Sequence, residues 1–239
     1  MEKVTIGNAE LYCNDCMEVL PNLKADVCIT SPPYNLAGFH QMHGGNSAKW
    51  EYDNFKDDMP EFDYQNWQIS VTEAIKKTGC EVLFYNHKNR IVNGRLISPL
   101  EWMNKTEWTI HQQIILNKGS GANVDKRRFF PVHEVMLVCF SDSDYKLDNK
   151  NLLTDVWQVE QTNRKDVNHP AVMPLSAAEK ALSAVNSQIC IDPFMGSGTS
   201  AIAADRCGMK FIGIEQSKRY FDIACERIEA AQAQGRLAI

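Results

Sequence analysis

Short apolar runs alternate with longer amphipathic stretches from one end of the chain to the other. Apolar and β-branched runs predict strands over residues 9–13, 27–30, 81–85, 111–116, 135–140, 189–191 and 210–214. Helical spacing predicts helices over 17–20, 62–77, 89–105, 176–184, 199–207 and 218–233. In the last of these, Tyr220, Ile223, Ala224, Arg227 and Ile228 recur at helical spacing. Strand and helix taking turns is the pattern of an α/β fold, a doubly wound and mostly parallel sheet. Three polar stretches interrupt the rhythm, 35–60, 119–128 and 141–168, and are expected to be loops or small insertions. There is no internal repeat.

Composition narrows the class without naming a chemistry. Of 239 residues 44% are apolar and 23% charged, ordinary for one globular domain. No apolar run is long enough to span a bilayer, so no membrane partner is expected. The opening Met-Glu-Lys-Val-Thr-Ile has neither the basic nor the apolar part of a secretion signal, so a cytoplasmic location is expected. Thirty acidic against 25 basic residues give a net charge of −5, so any nucleic-acid contact must come from a local basic patch. The eight cysteines are spread along the chain and read as reduced, mostly buried thiols. Cys13 and Cys16 with His40 and His43 form the one zinc-like arrangement. Their histidine gap is too short, and a strand-like stretch separates the pairs, so no metal site is expected.

Two motifs carry chemistry. The first, Ile191-Asp192-Pro193-Phe194-Met195-Gly196-Ser197-Gly198-Thr199-Ser200, follows a strand and opens an Ala-rich helix. Gly196 and Gly198 permit a tight turn with close backbone approach, and a helix N-terminus favours a negative group. A further strand ends in Glu215, where a carboxylate can hold ribose hydroxyls. The spacing fits a nucleoside cofactor, although the glycines do not match the dinucleotide fingerprint. The second motif is Ser31-Pro32-Pro33-Tyr34-Asn35 at the end of the strand 27–30. Two prolines end that strand in a rigid turn. The turn offers the Ser31 hydroxyl, the Pro32 carbonyl and the Tyr34 ring, which suit a planar amino group and the ring that bears it.

Ser-Pro-Pro-Tyr together with Asp-Pro-Phe-x-Gly-x-Gly resembles the amino-group DNA methyltransferases that use S-adenosylmethionine. The order of the motifs is similar to the beta class. Further likeness lies in Asn14-Asp15-Cys16, in the stretch from Tyr52 to Trp67, in Phe130-Pro131-Val132-His133-Glu134, in Asp155-Val156-Trp157 and in His169-Pro170-Ala171-Val172-Met173-Pro174. Asn14 stands where the family usually has Gly, and the chain is short for the class.

The resemblance implies a Rossmann-like methyltransferase fold with short loop insertions for DNA recognition, in a single domain over 1–239. A catalytic half would span 1–140, a short recognition segment 141–168 and a cofactor half 169–239. It implies methyl transfer to the amine of a flipped base, with Ser31, Pro32, Pro33 and Tyr34 catalytic. Ser in the first motif position leans toward cytosine N4, while Asn35 is common among adenine N6 enzymes. Asp15 would contact the cofactor adenine and Glu215 the ribose. Asp192, Phe194, Gly196 and Gly198 would shape the pocket, with Thr199, Ser200 and His169 at the methionine end. Double-stranded DNA is the implied partner, and Lys118, Lys126, Arg127, Arg128, Arg164 and Lys165 are the candidate phosphate contacts. The loop holding His40, His43, Lys49 and Trp50 is the candidate strand separator. A homodimer and a cognate restriction endonuclease are the further partners the family admits. His133 and Glu134 read as the start of a strand and not as an acid–base pair. The opposing reading is a protein that binds cofactor and DNA without transferring a methyl group.

Overall fold

The computed structural model describes residues 2–36, 58–119, 127–148, 153–160 and 173–237. Its strands are β1 (Glu2–Ile6), β2 (Ala9–Cys13), β3 (Val27–Thr30), β4 (Val82–His87), β5 (Arg90–Val92), β6 (Arg95–Ile97), β7 (Thr109–Asn117), β8 (His133–Phe140), β9 (Val156–Gln158), β10 (Ile189–Asp192) and β11 (Lys210–Glu215). The helices are α1 (Cys16–Val19), α2 (Glu61–Lys77), α3 (Leu100–Met103), α4 (Leu175–Ser183), α5 (Thr199–Arg206) and α6 (Lys218–Leu237). Nine strands form one sheet in the order β1-β2-β11-β10-β3-β4-β8-β7-β9. The central run from β2 to β4 is parallel, while β1 and β8 join it antiparallel. This is the doubly wound α/β architecture expected. No described helix is long and apolar enough to cross a membrane.

Alternation along the strands builds two apolar layers. Val27 and Ile29 of β3 and Val82 and Phe84 of β4 face α4, α5 and α6, whose Ala177, Ala181, Ala203, Phe221 and Ile228 fill that side. Cys28, Leu83 and Tyr85 point the other way, onto α1, α2 and α3 through Val19, Tyr64, Ile75 and Trp102. Buried on both faces, β3 reads as a continuous apolar run, which is how parallel strands present themselves in sequence.

The structure departs from the sequence expectation at 89–105. No long helix forms there. A hairpin, β5 to β6, turns at Asn93 and Gly94, both with positive φ (51° and 77°), and only the short α3 follows. Two positive-φ residues in succession match the twist of flanking strands and are incompatible with a helix. β1 and β9 were not expected. β9, in the stretch read as a loop, pairs in parallel with β7 at Ile115, Leu116 and Asn117.

Candidate functional site

Strands β2, β11, β10, β3 and β4 run the same way, so their carboxyl ends share one edge of the sheet. From β3 the chain winds through α2 to β4 on one side, and from β10 through α5 to β11 on the other. The seam between β3 and β10 is therefore a topological switch point, where open α/β sheets leave a crevice for ligands. Both motifs lie at this seam.

The glycine turn is held from beneath by Asp192. One carboxylate oxygen accepts from the Thr30 hydroxyl at 2.8 Å and the Phe194 N–H at 2.9 Å. The other accepts from the Ser200 hydroxyl at 2.6 Å. Burial raises the Asp192 carboxyl from 3.8 to about 6 against these donors. Ser200, expected at the methionine end, thus turns its hydroxyl to Asp192. Thr199 beside it has a buried hydroxyl oxygen with no partner among the described residues, which leaves it open to a ligand group there. Gly198 has φ 82°, and a Cβ on it would stand 3.2 Å from Ile228 and 3.3 Å from Ala224 of α6. Arg227 on the same helix donates to the Ser197 carbonyl, and burial lowers its pKa.

Glu215 closes the turn from β11. It accepts from the Gly196 N–H at 3.0 Å and the Ser217 N–H at 2.8 Å, and burial raises its carboxyl to about 7. Its carbonyl accepts from the Asn14 N–H at 3.2 Å, which brings the loop after β2 alongside. There Asp15 is exposed and caps α1 through the Met17 N–H at 2.8 Å. Phe194 lies edge-on to Trp67 of α2 at 5.5 Å.

The Ser31–Tyr34 turn follows Thr30 directly. The Ser31 and Tyr34 hydroxyls are 2.8 Å apart, and the Tyr34 hydroxyl reaches the Asn86 side-chain oxygen at 3.3 Å. The Tyr34 ring is 5% exposed, tilted against His87 at 4.6 Å, with the Lys88 ammonium 5.3 Å from its centre. The Pro33 carbonyl accepts from the Tyr64 hydroxyl at 2.8 Å and the Gln68 amide at 3.4 Å. Thr30, Asn86, Tyr64, Gln68 and Arg227 escaped the sequence reading. Their sequence signals are slight, a polar pair at i and i+4 on α2 and a polar end to β4.

β4, β7 and the start of β8 meet at the same edge. Lys118, after β7, pairs with Glu134 of β8 at 2.6 Å, so this candidate phosphate contact already holds a carboxylate. Arg127 is exposed and Arg128 half-buried on the segment leading to β8. Lys126, Arg164, Lys165, His169 and the loop with His40, His43, Lys49 and Trp50 lie outside the described residues. Burial raises the thiols of Cys16, Cys28, Cys80, Cys139 and Cys190.

A family model described as DNA methylase matches residues 25–226. The type II methyltransferase M.ScaI of Streptomyces caespitosus is 25% identical, the match covering 92% of this chain and 81% of that protein. The orphan methyltransferase M.BamHII of Bacillus amyloliquefaciens is 28% identical, with 89% and 91% covered. Among solved structures, the PvuII DNA methyltransferase (cytosine-N4-specific) aligns with TM-score 0.72 at 17% identity over 95% of this chain and 92% of that one. The M1.HpyAVI–SAM complex aligns with TM-score 0.65 at 21% identity over 92% and 98%. At such identities the structural likeness speaks for the fold.

Proposed function

This chain belongs to the DNA methylase family, and from that premise we propose that it transfers a methyl group from S-adenosylmethionine to the exocyclic amine of a base flipped from double-stranded DNA, cytosine N4 ahead of adenine N6. The observation that carries the reading is the seam: the glycine turn and the Ser31 turn end adjacent strands, and the Thr30–Asp192 hydrogen bond ties them together.

The residues present fit the cofactor. Glu215 keeps lone pairs for ribose hydroxyls beyond the two N–H groups it holds. The Thr199 hydroxyl, which has no partner among the described residues, is the candidate contact for the methionine end. Gly196, Gly198 and Phe194 shape the pocket, and Asp15 takes the adenine. Asp192 and Ser200 act from beneath the turn, keeping it in register with Ser31. His169 stays in the proposal on the sequence alone, as do Lys126, Arg164 and Lys165; Arg127, Arg128 and Lys118, the last paired with Glu134, complete the phosphate contacts. When bound, S-adenosylmethionine supplies an activated methyl group on a sulfonium.

An exocyclic amine is a poor nucleophile because its lone pair is delocalised into the ring. The Ser31 hydroxyl oxygen and the Pro32 carbonyl accept its two N–H groups, favour a pyramidal nitrogen and point its lone pair at the methyl carbon. Positioning therefore supplies most of the acceleration. Tyr34 gives the flipped ring a stacking face. Ser31 favours cytosine. Asn35, the feature that favours adenine, gives its amide to the Met59 carbonyl at 2.8 Å.

In this reading residues 1–140 form the catalytic half, 169–239 the cofactor half and 141–168 the short recognition segment. A second copy of the chain and a restriction endonuclease belong to the proposal as partners. Nucleoside mass spectrometry of DNA from cells expressing the protein tests the whole reading. N4-methylcytosine is expected, and its loss in Ser31→Ala. N6-methyladenine would overturn the base assignment, and no methylation beside tight cofactor binding would favour a regulatory protein.

A further inference from the structure

Behind the Ser31–Tyr34 turn lies a buried polar chain that the mechanism above does not use. Its proton directions follow from its ends. Trp102 Nε1, which only donates, gives its proton to the Tyr85 hydroxyl at 3.1 Å. Tyr85 donates in turn to the Gln68 Oε1 at 2.7 Å, which fixes the amide so that its NH₂ faces Tyr64 and Pro33. Gln68 Nε2 then donates to the Tyr64 hydroxyl oxygen at 2.8 Å. Tyr64 has one proton left to give and two acceptors in reach: the Pro33 carbonyl at 2.8 Å and His87 Nε2 at 2.7 Å.

His87 cannot supply that proton itself. Its Nδ1 lies 2.8 Å from the Lys88 carbonyl, which only accepts, so Nδ1 carries the hydrogen. Burial, together with Arg90 and Lys88, lowers the ring's pKa to about 3, so Nε2 is a bare acceptor near neutrality. The surroundings clamp Tyr64 itself. Arg90 stacks on its ring at 4.6 Å while binding Glu61 through two hydrogen bonds of 2.9 and 2.8 Å, and Trp102 meets the ring edge-on at 5.8 Å. The ring is fixed, and its hydroxyl proton is what remains to be divided.

We propose that Tyr64 is a positioning residue for methyl transfer, its single hydroxyl proton, contested between Pro33 and His87, setting how firmly the Ser31–Tyr34 turn is held against the reacting amine. The inference rests on the catalytic reading of that turn. A hydrogen bond on the Pro33 carbonyl fixes the plane of the peptide after it. Proline rings lock φ at Pro32 and Pro33, which narrows where the Pro32 carbonyl can point, and the fixed peptide leads into Tyr34, whose hydroxyl is hydrogen-bonded to that of Ser31. Gln68, at 3.4 Å from the same carbonyl, is too distant to do this alone.

Single-turnover methylation by the full-length protein, as wild type, Tyr64→Phe, Ser31→Ala and the double variant, tests the proposal. Tyr64→Phe keeps the clamped ring and removes the proton. It should slow transfer about tenfold, roughly 1.4 kcal/mol of barrier, with kcat falling, KM for DNA unchanged, and S-adenosylhomocysteine affinity within about twofold of wild type. The double variant should be slowed by less than the product of the single effects, because both residues act through one turn. A wild-type rate in Tyr64→Phe, a product-like double variant, or a matching fall in cofactor affinity overturns the proposal. If Ser31→Ala itself keeps the wild-type rate, the catalytic reading of the turn fails instead. Nitrogen-15 histidine NMR, assigned by difference from His87→Phe, reads the contest without activity. A proton on His87 Nε2 at neutral pH would overturn it.

Discussion

Lowering the pH should loosen the protein's hold on S-adenosylhomocysteine, and Glu215 sets by how much. Its carboxyl is raised from an ordinary 4.5 to about 7, chiefly by burial, which outweighs the N–H groups of Ser217 and Gly196. Ribose hydroxyls donate to a carboxylate and gain little from the neutral acid, so the ionised form is the binding form. For one such group the apparent affinity scales with the fraction ionised, which is roughly nine-tenths near pH 8 and one-tenth near pH 6. Affinity should therefore fall about tenfold over that interval. Stability of the ligand-free protein moves the other way. A raised folded pKa means that the contribution of Glu215 is fully present below 4.5 and is lost as pH rises through about 7. Asp192, raised to about 6, adds to that trend. The thermal shift produced by S-adenosylhomocysteine should thus shrink as the solution is acidified. Calorimetry across this range, on wild type and Glu215→Gln, measures the slope directly. The variant, which cannot titrate, should bind more weakly near pH 8 and show no dependence. Wild-type affinity that stays level from about pH 8 to pH 6, or a variant that keeps the slope, refutes the argument.

Ser31→Ala should slow single-turnover transfer by about tenfold to a hundredfold while leaving cofactor affinity intact. Tyr34→Ala should nearly abolish methylation of paired DNA and recover part of its loss on a mismatched target, which costs less to extrude; rates on both substrates decide. Arg127→Ala should weaken binding to all sequences about equally and reduce the slope of log affinity against log salt by about one, as read by fluorescence anisotropy over a salt series. Gly198→Ala places a methyl at positive φ against Ile228 and Ala224 and should cost about 1–3 kcal/mol of stability in denaturant unfolding.

The parts of the site legible in sequence are those made by neighbours in the chain. Apolar runs mark β3, β10 and β11, and the glycine turn and the Ser31 turn each occupy a few consecutive residues that end a strand. Asp192 and Glu215 stand out because a carboxylate ends each of two apolar strands. What they hold could not be read. Thr30 meets Asp192 across 162 residues of sequence, and nothing local to either announces the pair. The Tyr64 chain is hidden for the same reason: Gln68 and Tyr85 are ordinary residues until α2 packs on β4. The hairpin at 90–97 was legible in principle, since Asn93-Gly94 is a strong turn signal. Its strands of three residues are too short for alternation to outweigh a helical pattern that continues into Leu100–Met103. β9 is equally short and owes its place to pairing with β7.

Because the two turns belong to adjacent strands, their order along the polypeptide is immaterial to the pocket they form. The first and last elements of the described fold also lie side by side: Gln232 of α6 donates to the Ile6 carbonyl of β1 at 3.3 Å. A linker joining α6 to β1, with a new opening between β9 and α4, would reverse the order of glycine turn and Ser31 turn. Every strand neighbour and the Asp192 bridge would be retained. The sheet is thus compatible with circular permutation, and its chemistry is encoded by adjacency rather than by succession.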